Sequence, residues 1–352
     1  MVTFSLFWGL LSSQGHASGP LPGGSAPGRL LLPEAALTPP PTATATRVVF
    51  YAATATKTPT PSPTETPTAT SLPPTAAIAV PTEIPPTLPT IQHVVIISID
   101  GLRPDALDLT DTPTLDQLRA TGAYSPQAQT VSLSITLPSH ASMLSGMLPE
   151  KHGILWGVPY IGWPGMSGPT LFSLAHDAGL STAMVFGKEK LNYLVLPNSV
   201  DRLFGTDVGD TEIKEQAVKF IEAGLPNILF VHFADTDRVG HTFGWLSPNQ
   251  LQSVTFVDGL IGDLVAALES GGYLNNTLLI MTADHGGPDH GHGDDTAEDR
   301  TIPWLAVGPG VRSGVILNSH INTYDTAATA LYALTLPIPE QWDGRPILEI
   351  FN

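Results

Sequence analysis

The chain has 352 residues, with 15 Lys and Arg against 32 Asp and Glu, 34 prolines and no cysteine. Without cysteine there are no disulfides, no thiolate metal ligands and no cysteine nucleophile. A formal net charge of −17 argues against non-specific nucleic-acid binding, which needs basic patches to replace phosphate counterions.

The first stretch, residues 1–18, carries an apolar run from Phe4 to Leu11 that is too short to span a bilayer. It has the form of a secretory signal core, with "GHA" at 15–17 as a small-residue cleavage site, although no Lys or Arg precedes it. Residues 19–90 are dominated by Pro, Thr, Ala and Ser, most plainly in "TPTPSPTETPTAT" at 58–70. Such a segment has too little apolar content to offset its ordering entropy and is predicted to be a disordered linker. A signal-like start followed by a Pro/Thr-rich stalk predicts an extracytoplasmic protein, secreted or at the cell surface, with no transmembrane helix. In residues 1–90, Arg29, Arg47 and Lys57 balance Glu34, Glu65 and Glu83. The whole net charge therefore belongs to residues 91–352, whose composition is that of one globular α/β domain.

Within 91–352, five apolar runs read as strands: "HVVIISID" (93–100), "STAMVF" (181–186), "NILFVHF" (227–233), "TLLIMTAD" (277–284) and "PWLAVG" (303–308). Continuous apolar runs, rather than alternation, suit strands covered on both faces. Helical patterns lie around them at 112–122, 169–179, 211–224, 247–272 and 323–334, the first two ending on a glycine that can cap a helix. Strand and helix in alternation predict a mostly parallel central sheet between helix layers. In such folds ligands gather beyond the carboxyl ends of the strands.

Those ends are acidic and histidine-rich. The first predicted strand closes on Asp100, where a buried carboxylate is costly unless paired. The third runs into "FADTDRVGH", with Asp235, Asp237 and His241. The fourth runs into "TADHGGPDHGHG", where Asp284, His285, Asp289, His290 and His292 crowd among four glycines. Mixed carboxylate and imidazole ligands suit zinc or a similar divalent ion. So many groups exceed the needs of one ion, and two ions can clamp the oxygens of a phosphoryl group. A nucleophile is available in "SLSITLPSHASMLSG" (132–146): Thr136 precedes Leu137-Pro138, and Pro favours a helix's first turn. A hydroxyl at a helix N-terminus lies where amides and dipole favour negative charge; alternatively Thr136 or Ser139 merely caps that helix.

The motifs "DGLRPD", "TLPSHASMLSGMLPEKHGI", "DTDRVGH", "TADHGG" and "GHG" occur in that order across residues 100–293. This order resembles the alkaline phosphatase superfamily, and within it the type I phosphodiesterases and nucleotide pyrophosphatases. The resemblance implies an alkaline phosphatase-like three-layer sandwich, two zinc ions and a threonine nucleophile that forms a phospho-enzyme. Matched motif by motif, it implies Thr136 as nucleophile and Asp100, Thr136, Asp284 and His285 around one metal. The other metal would take Asp237, His241 and His292, with His290 as the rival for the last place, and Asp235 would support this set from behind. Water on the second metal would then hydrolyse the phospho-threonine. The implied substrate is a small phosphate ester or nucleotide.

One departure bears on substrate class. Characterised nucleotide pyrophosphatases carry an Asn after the "HGI" element that donates to a phosphate oxygen; here Gly157 stands in that place. Backbone amides near Thr136, or the ammonium of Lys188 in "FGKEK", are the candidate substitutes, against the plainer reading of Lys188 as a surface lysine. Phosphomonoesters, phosphonates and sulfate esters are handled by related scaffolds and remain rival substrates. A non-catalytic surface binding protein is the rival of another class.

Overall fold

The computed structural model describes residues 90–158, 162 and 165–351. The signal-like segment and the Pro/Thr-rich linker lie outside the described residues. Eight strands form one sheet: β1 (His93–Ile99), β2 (Ala123–Gln129), β3 (Thr182–Phe186), β4 (Arg202–Gly205), β5 (Ile228–Phe233), β6 (Thr277–Thr282), β7 (Thr301–Val307) and β8 (Val315–Ile316). Their order across the sheet is β4-β3-β5-β1-β6-β7-β2-β8. From β4 to β6 every pairing is parallel, whereas β7 runs antiparallel to both β6 and β2.

The central strands are buried on both faces, which is why their sequences run apolar without alternation: all of β3, β5 and β6 is buried. The covering helices include α1 (Pro113–Thr121), α2 (Thr136–Ser145), α3 (Leu171–Asp177), α4 (Asp210–Glu222), α5 (Asp235–Phe243), α6 (Pro248–Ser270) and α7 (Asp325–Ala333). The expected α/β sandwich with a mostly parallel sheet is therefore present. Local chemistry fixes several helix starts. Thr170 and Ser173 form a reciprocal capping box at α3, and the Ser247 hydroxyl accepts the Gln250 N–H at α6. By length and composition α6 is apolar enough to cross a membrane, and Val254, Val257, Ile261, Leu264 and Leu268 on it are buried within the fold.

Strands β2, β4 and β8 match none of the five predicted runs, and helix α5 is also new. Strand β2, "AYSPQAQ", is too polar to announce itself; it forms because β7 and β8 flank it, and its pairing with β7 shifts register between Ser125 and Ala128, around Pro126. The segment 235–243, which lies outside the predicted helical patterns, is the 9-residue helix α5. Its Gly240 is required: an added Cβ would stand 2.9 Å from the Trp245 ring. Trp245 in turn donates its indole N–H to the Gly101 carbonyl at 2.8 Å, tying α5 to the loop after β1.

Because β5, β1 and β6 are parallel neighbours, Ser98 stands opposite both His232 and Thr282. The chain segments leaving these three strands therefore emerge side by side. They carry Asp100, the start of α5, and Asp284-His285.

Candidate metal and active site

Asp100, Asp284 and His285 are fully buried, and Asp237 and Thr136 nearly so. Helix α5 puts Asp237 and His241 one turn apart on a single face, with His241 Nε2 3.4 Å from Asp237 Oδ1. His292 arrives from the glycine-rich loop after β6, its Nε2 also 3.4 Å from Asp237 Oδ1. On the other side, His285 Nε2 lies 3.4 Å from Asp100 Oδ1 and 3.3 Å from Asp284 Oδ2. The rings of His285 and His292 stack at 3.7 Å, so the two clusters adjoin.

Each carboxylate uses one oxygen and leaves the other bare. Asp100 Oδ2 takes His232 Nε2 at 2.9 Å and Lys188 Nζ at 2.7 Å. Asp284 Oδ1 accepts the Gly101 N–H at 3.1 Å, and Asp237 Oδ2 accepts Lys188 Nζ at 2.5 Å. Asp100 Oδ1, Asp237 Oδ1 and Asp284 Oδ2 are buried with no hydrogen-bond partner. These are the oxygens that face the imidazoles.

The imidazoles show the complementary pattern. His285 Nδ1 bonds the Gly286 carbonyl at 2.8 Å, His292 Nδ1 that of Ser134 at 2.9 Å, and His241 Nδ1 that of His290 at 3.0 Å. A backbone carbonyl only accepts, so each Nδ1 carries the proton and each Nε2 presents a lone pair. Burial keeps His285 below the usual histidine range and lowers His292 to about 4, so both are neutral near pH 7. Bare carboxylate oxygens facing bare imidazole nitrogens are a donor set that could hold a divalent cation.

Charge leads to the same conclusion. Three carboxylates face one ammonium, an excess of negative charge that a buried site offsets by binding further cations or by taking up a proton. Burial, and then the charge of Asp100, pushes Asp284 up to about 7. Burial would raise Asp100 too, but Lys188 first and then the His232 hydrogen bond hold it well below the carboxylate range. Single ligand atoms of Asp237, His241 and His292 lie within 4.8 Å of one another, as do those of Asp100, Asp237 and His285. Asp284 stands outside both of these tightest groups, but its contact with His285 Nε2 places it beside the second.

Thr136 opens α2, the position anticipated for a nucleophile. Its Oγ1 lies 3.4 Å from His285 Nε2 and accepts from Lys188 Nζ at 3.3 Å. Lys188 is thus no surface lysine. It reaches in from the end of β3, only 11 % of its side chain exposed, and the charges of Asp100 and Asp237 outweigh the effect of burial to hold its pKa above the lysine range. Gly157 lies against Ile135, the residue before Thr136; a Cβ there would meet only Ile135 Cδ1, at 3.4 Å.

One rival reading is set aside and one expectation needs correction. The His290 ring is exposed and belongs to neither cluster; its backbone carbonyl instead orients His241. Asp235 does not touch the ligands. Its Oδ1 pairs with Arg238 at 2.8 Å and its Oδ2 accepts the Asp210 N–H, while Asp210 accepts the Ala234 and Asp235 N–H groups, so these residues fix the start of α5. Sequence reasoning also missed His140 and His232. His140 Nδ1 bonds the Thr136 carbonyl at 2.8 Å, and its Nε2 meets Ser98 Oγ at 2.9 Å. A histidine inside the apolar run "NILFVHF" was the available signal for His232.

The family described as "Type I phosphodiesterase / nucleotide pyrophosphatase" matches residues 94–156 and 162–303. An uncharacterized pyrophosphatase/phosphodiesterase of Schizosaccharomyces pombe is 26 % identical over 215 residues, 55 % of this chain and 44 % of that protein. Ectonucleotide pyrophosphatase/phosphodiesterase family member 3 of Bos taurus is 24 % identical over 220 residues, covering 56 % of this chain and 25 % of that one. The chain thus spans less than half the length of these relatives. Among solved structures, an inactive variant of murine ectonucleotide pyrophosphatase/phosphodiesterase 5 in complex with AMP superposes with a TM-score of 0.64 at 18 % identity, over 74 % of this chain and all of that one. A 2-O glycosaminoglycan sulfatase shares the fold at a TM-score of 0.64 and 16 % identity, over 75 % of this chain and 74 % of that one. Matched by that family across well over half its residues, and built on the fold it shares with these structures, the chain belongs to the type I phosphodiesterase/nucleotide pyrophosphatase family.

Proposed function

We propose that the chain is a metal-dependent hydrolase that cleaves phosphodiester or pyrophosphate bonds through a covalent phospho-threonine at Thr136. One observation carries this reading: three bare, buried carboxylate oxygens and three bare imidazole nitrogens converge beside one alcohol at a helix N-terminus. Asp100, Asp284, His285 and Thr136 would hold one divalent ion, and Asp237, His241 and His292 the other, with zinc the best match to this donor set. Bound there, such ions would neutralise the phosphoryl oxygens and ease ionisation of the attacking alcohol.

The chain's own groups do the rest. Thr136 Oγ1 attacks phosphorus, forming a P–O bond as the bond to the leaving oxygen breaks. Lys188, already donating to that hydroxyl, stabilises its developing negative charge and then faces the non-bridging oxygens. His140 fixes the Thr136 carbonyl and with it the first turn of α2. Water cleaves the phospho-threonine in the second step and regenerates the alcohol.

The substrate class is a small phosphate ester or nucleotide. Venom phosphodiesterases occur among the relatives, which supports an extracytoplasmic site of action. A second reading, a monoester, phosphonate or sulfate ester, is favoured by Gly157, which offers no side-chain donor where family members carry Asn. Metal analysis with a panel of p-nitrophenyl mono- and diesters tests the proposal. Native protein is expected to carry two ions and prefer diesters. Thr136→Ala is expected to keep the ions and lose at least about 1,000-fold in kcat. Native turnover by that variant overturns the nucleophile, and protein without bound metal or esterase activity points to a non-catalytic binding role.

A further inference from the structure

The fully buried His232 has no part in the donor sets above, yet it touches one of them. It lies in β5, opposite Ser98 of β1 on one side and Phe186 of β3 on the other. Its Nε2 stands 2.9 Å from Asp100 Oδ2, while its Nδ1 is buried without any partner. That asymmetry fixes the tautomer. The ionised Asp100 Oδ2 can only accept, so the contact at Nε2 needs a proton there, and the unpartnered Nδ1 is left as the lone pair. The proton therefore sits on Nε2 and is donated to Asp100.

The ring itself is held on several sides. It meets His140 edge to face at 4.8 Å and 83°, and the His232 carbonyl accepts the Gly187 N–H at 3.3 Å. His232 is thus a rigid donor on a central strand. Lys188 shares Asp100 Oδ2, but it approaches on a long side chain with four rotatable bonds.

We propose that His232 is a positioning residue: by donating to Oδ2 it pins the Asp100 carboxylate so that Oδ1 alone faces His285 and the cation site. This rests on the metal reading above. Hydrogen bonds from behind a ligating carboxylate or imidazole set its orientation, and their loss weakens metal affinity by about 10- to 100-fold. The effect should be confined to the ion that uses Asp100, because the His232 ring makes its one hydrogen bond to Asp100.

The test is competition for Zn2+ against a chromophoric chelator, on the full chain, without turnover. Native protein is expected to take up two ions. His232→Met should weaken one of them by about 10- to 100-fold and leave the other unchanged, whereas His232→Gln, which keeps a donor at similar reach, should stay within about threefold of native. Two native-like ions in H232M, or equal losses in H232M and H232Q, overturn the proposal. Should H232M not fold, the histidine 15N–1H spectrum of the native protein decides, with the His232 signals assigned by their disappearance in H232Q. A proton on Nε2 supports the bond to Asp100, and a proton on Nδ1 overturns it. If native protein takes up no zinc, it is the metal reading that fails, and the spectrum still tests the His232–Asp100 bond.

Discussion

Lys188→Met is the most informative single change. The ammonium is nearly buried and bridges Asp100 at 2.7 Å and Asp237 at 2.5 Å, so methionine keeps the stem and deletes the charge between two carboxylates. Removing one partner of a buried ion pair costs about 3–5 kcal/mol, because the other charge is left uncompensated. For a domain of this size each kcal/mol shifts the melting temperature by about 2–4 °C, which gives a drop of roughly 6–20 °C. The drop belongs to protein stripped of metal by a chelator. With divalent ions bound, their charge compensates the same carboxylates, and the loss should shrink to less than half. It should also be smaller at pH 5 than at pH 8: Asp100 is held below the carboxylate range chiefly against burial by Lys188, so without the lysine its pKa rises and protonation relieves the strain as pH falls. Scanning calorimetry with and without metal reads both effects. An equal drop in both states, or none in the stripped protein, would show that Lys188 is not the counter-charge of these carboxylates.

Asp284→Asn removes the bare oxygen beside His285 while keeping an acceptor for Gly101, so metal analysis should find one ion fewer, with the Asp237 set retained. Gly157→Asn should be accommodated, since a Cβ there makes only an ordinary contact; the restored donor is expected to raise the diester-to-monoester ratio of kcat/KM by about tenfold, the worth of one charge-assisted hydrogen bond. His152 gives a pH test that involves none of the proposed metal ligands. It donates from Nε2 to Ser142 Oγ and accepts the Ile154 N–H at Nδ1, so only the neutral ring fits, and burial lowers it to about 4 from 6.5. A pKa depressed by folding means that this contribution is complete above pH 6.5 and is lost as pH falls toward 4, amounting to about 3 kcal/mol. Urea midpoints should therefore fall less steeply over that window in His152→Gln than in native protein, and parallel curves would refute the assignment.

In the parallel half, β3, β5, β1 and β6 were legible because burial on both faces writes a continuous apolar run, whereas the edge strand β4, partly exposed, was not. The antiparallel half was only partly legible. β7 has such a run, but β2 carries Pro126 and two glutamines, and nothing in "AYSPQAQ" shows that β7 and β8 will flank it. Helix α5 was hidden for a related reason: its turns are polar, and Gly240 looks like a breaker until Trp245 is seen against it. In the site, Asp100, Asp237, His241, Asp284 and His285 stood out because acidic and imidazole groups directly after apolar strands are costly without a partner. Asp235 follows β5 even more directly than Asp237, yet pairs with Arg238 and Asp210, so a place after a strand does not say which partner a carboxylate finds. Lys188 could not be judged from its place, because a lysine in a polar loop has the same local signature whether it faces solvent or a cluster of carboxylates.

By itself, then, the order of residues determined which chemistry was available: the strand ends, the acidic and imidazole donors on them, and an alcohol before Leu137-Pro138. Tertiary structure alone decided which oxygen of each carboxylate is left bare, which nitrogen of each ring holds its proton, and that Lys188 and His232 meet at Asp100. Residue type and spacing are properties of the chain. Hydrogen-bond partners 49 to 183 residues apart exist only once parallel strands bring their ends together.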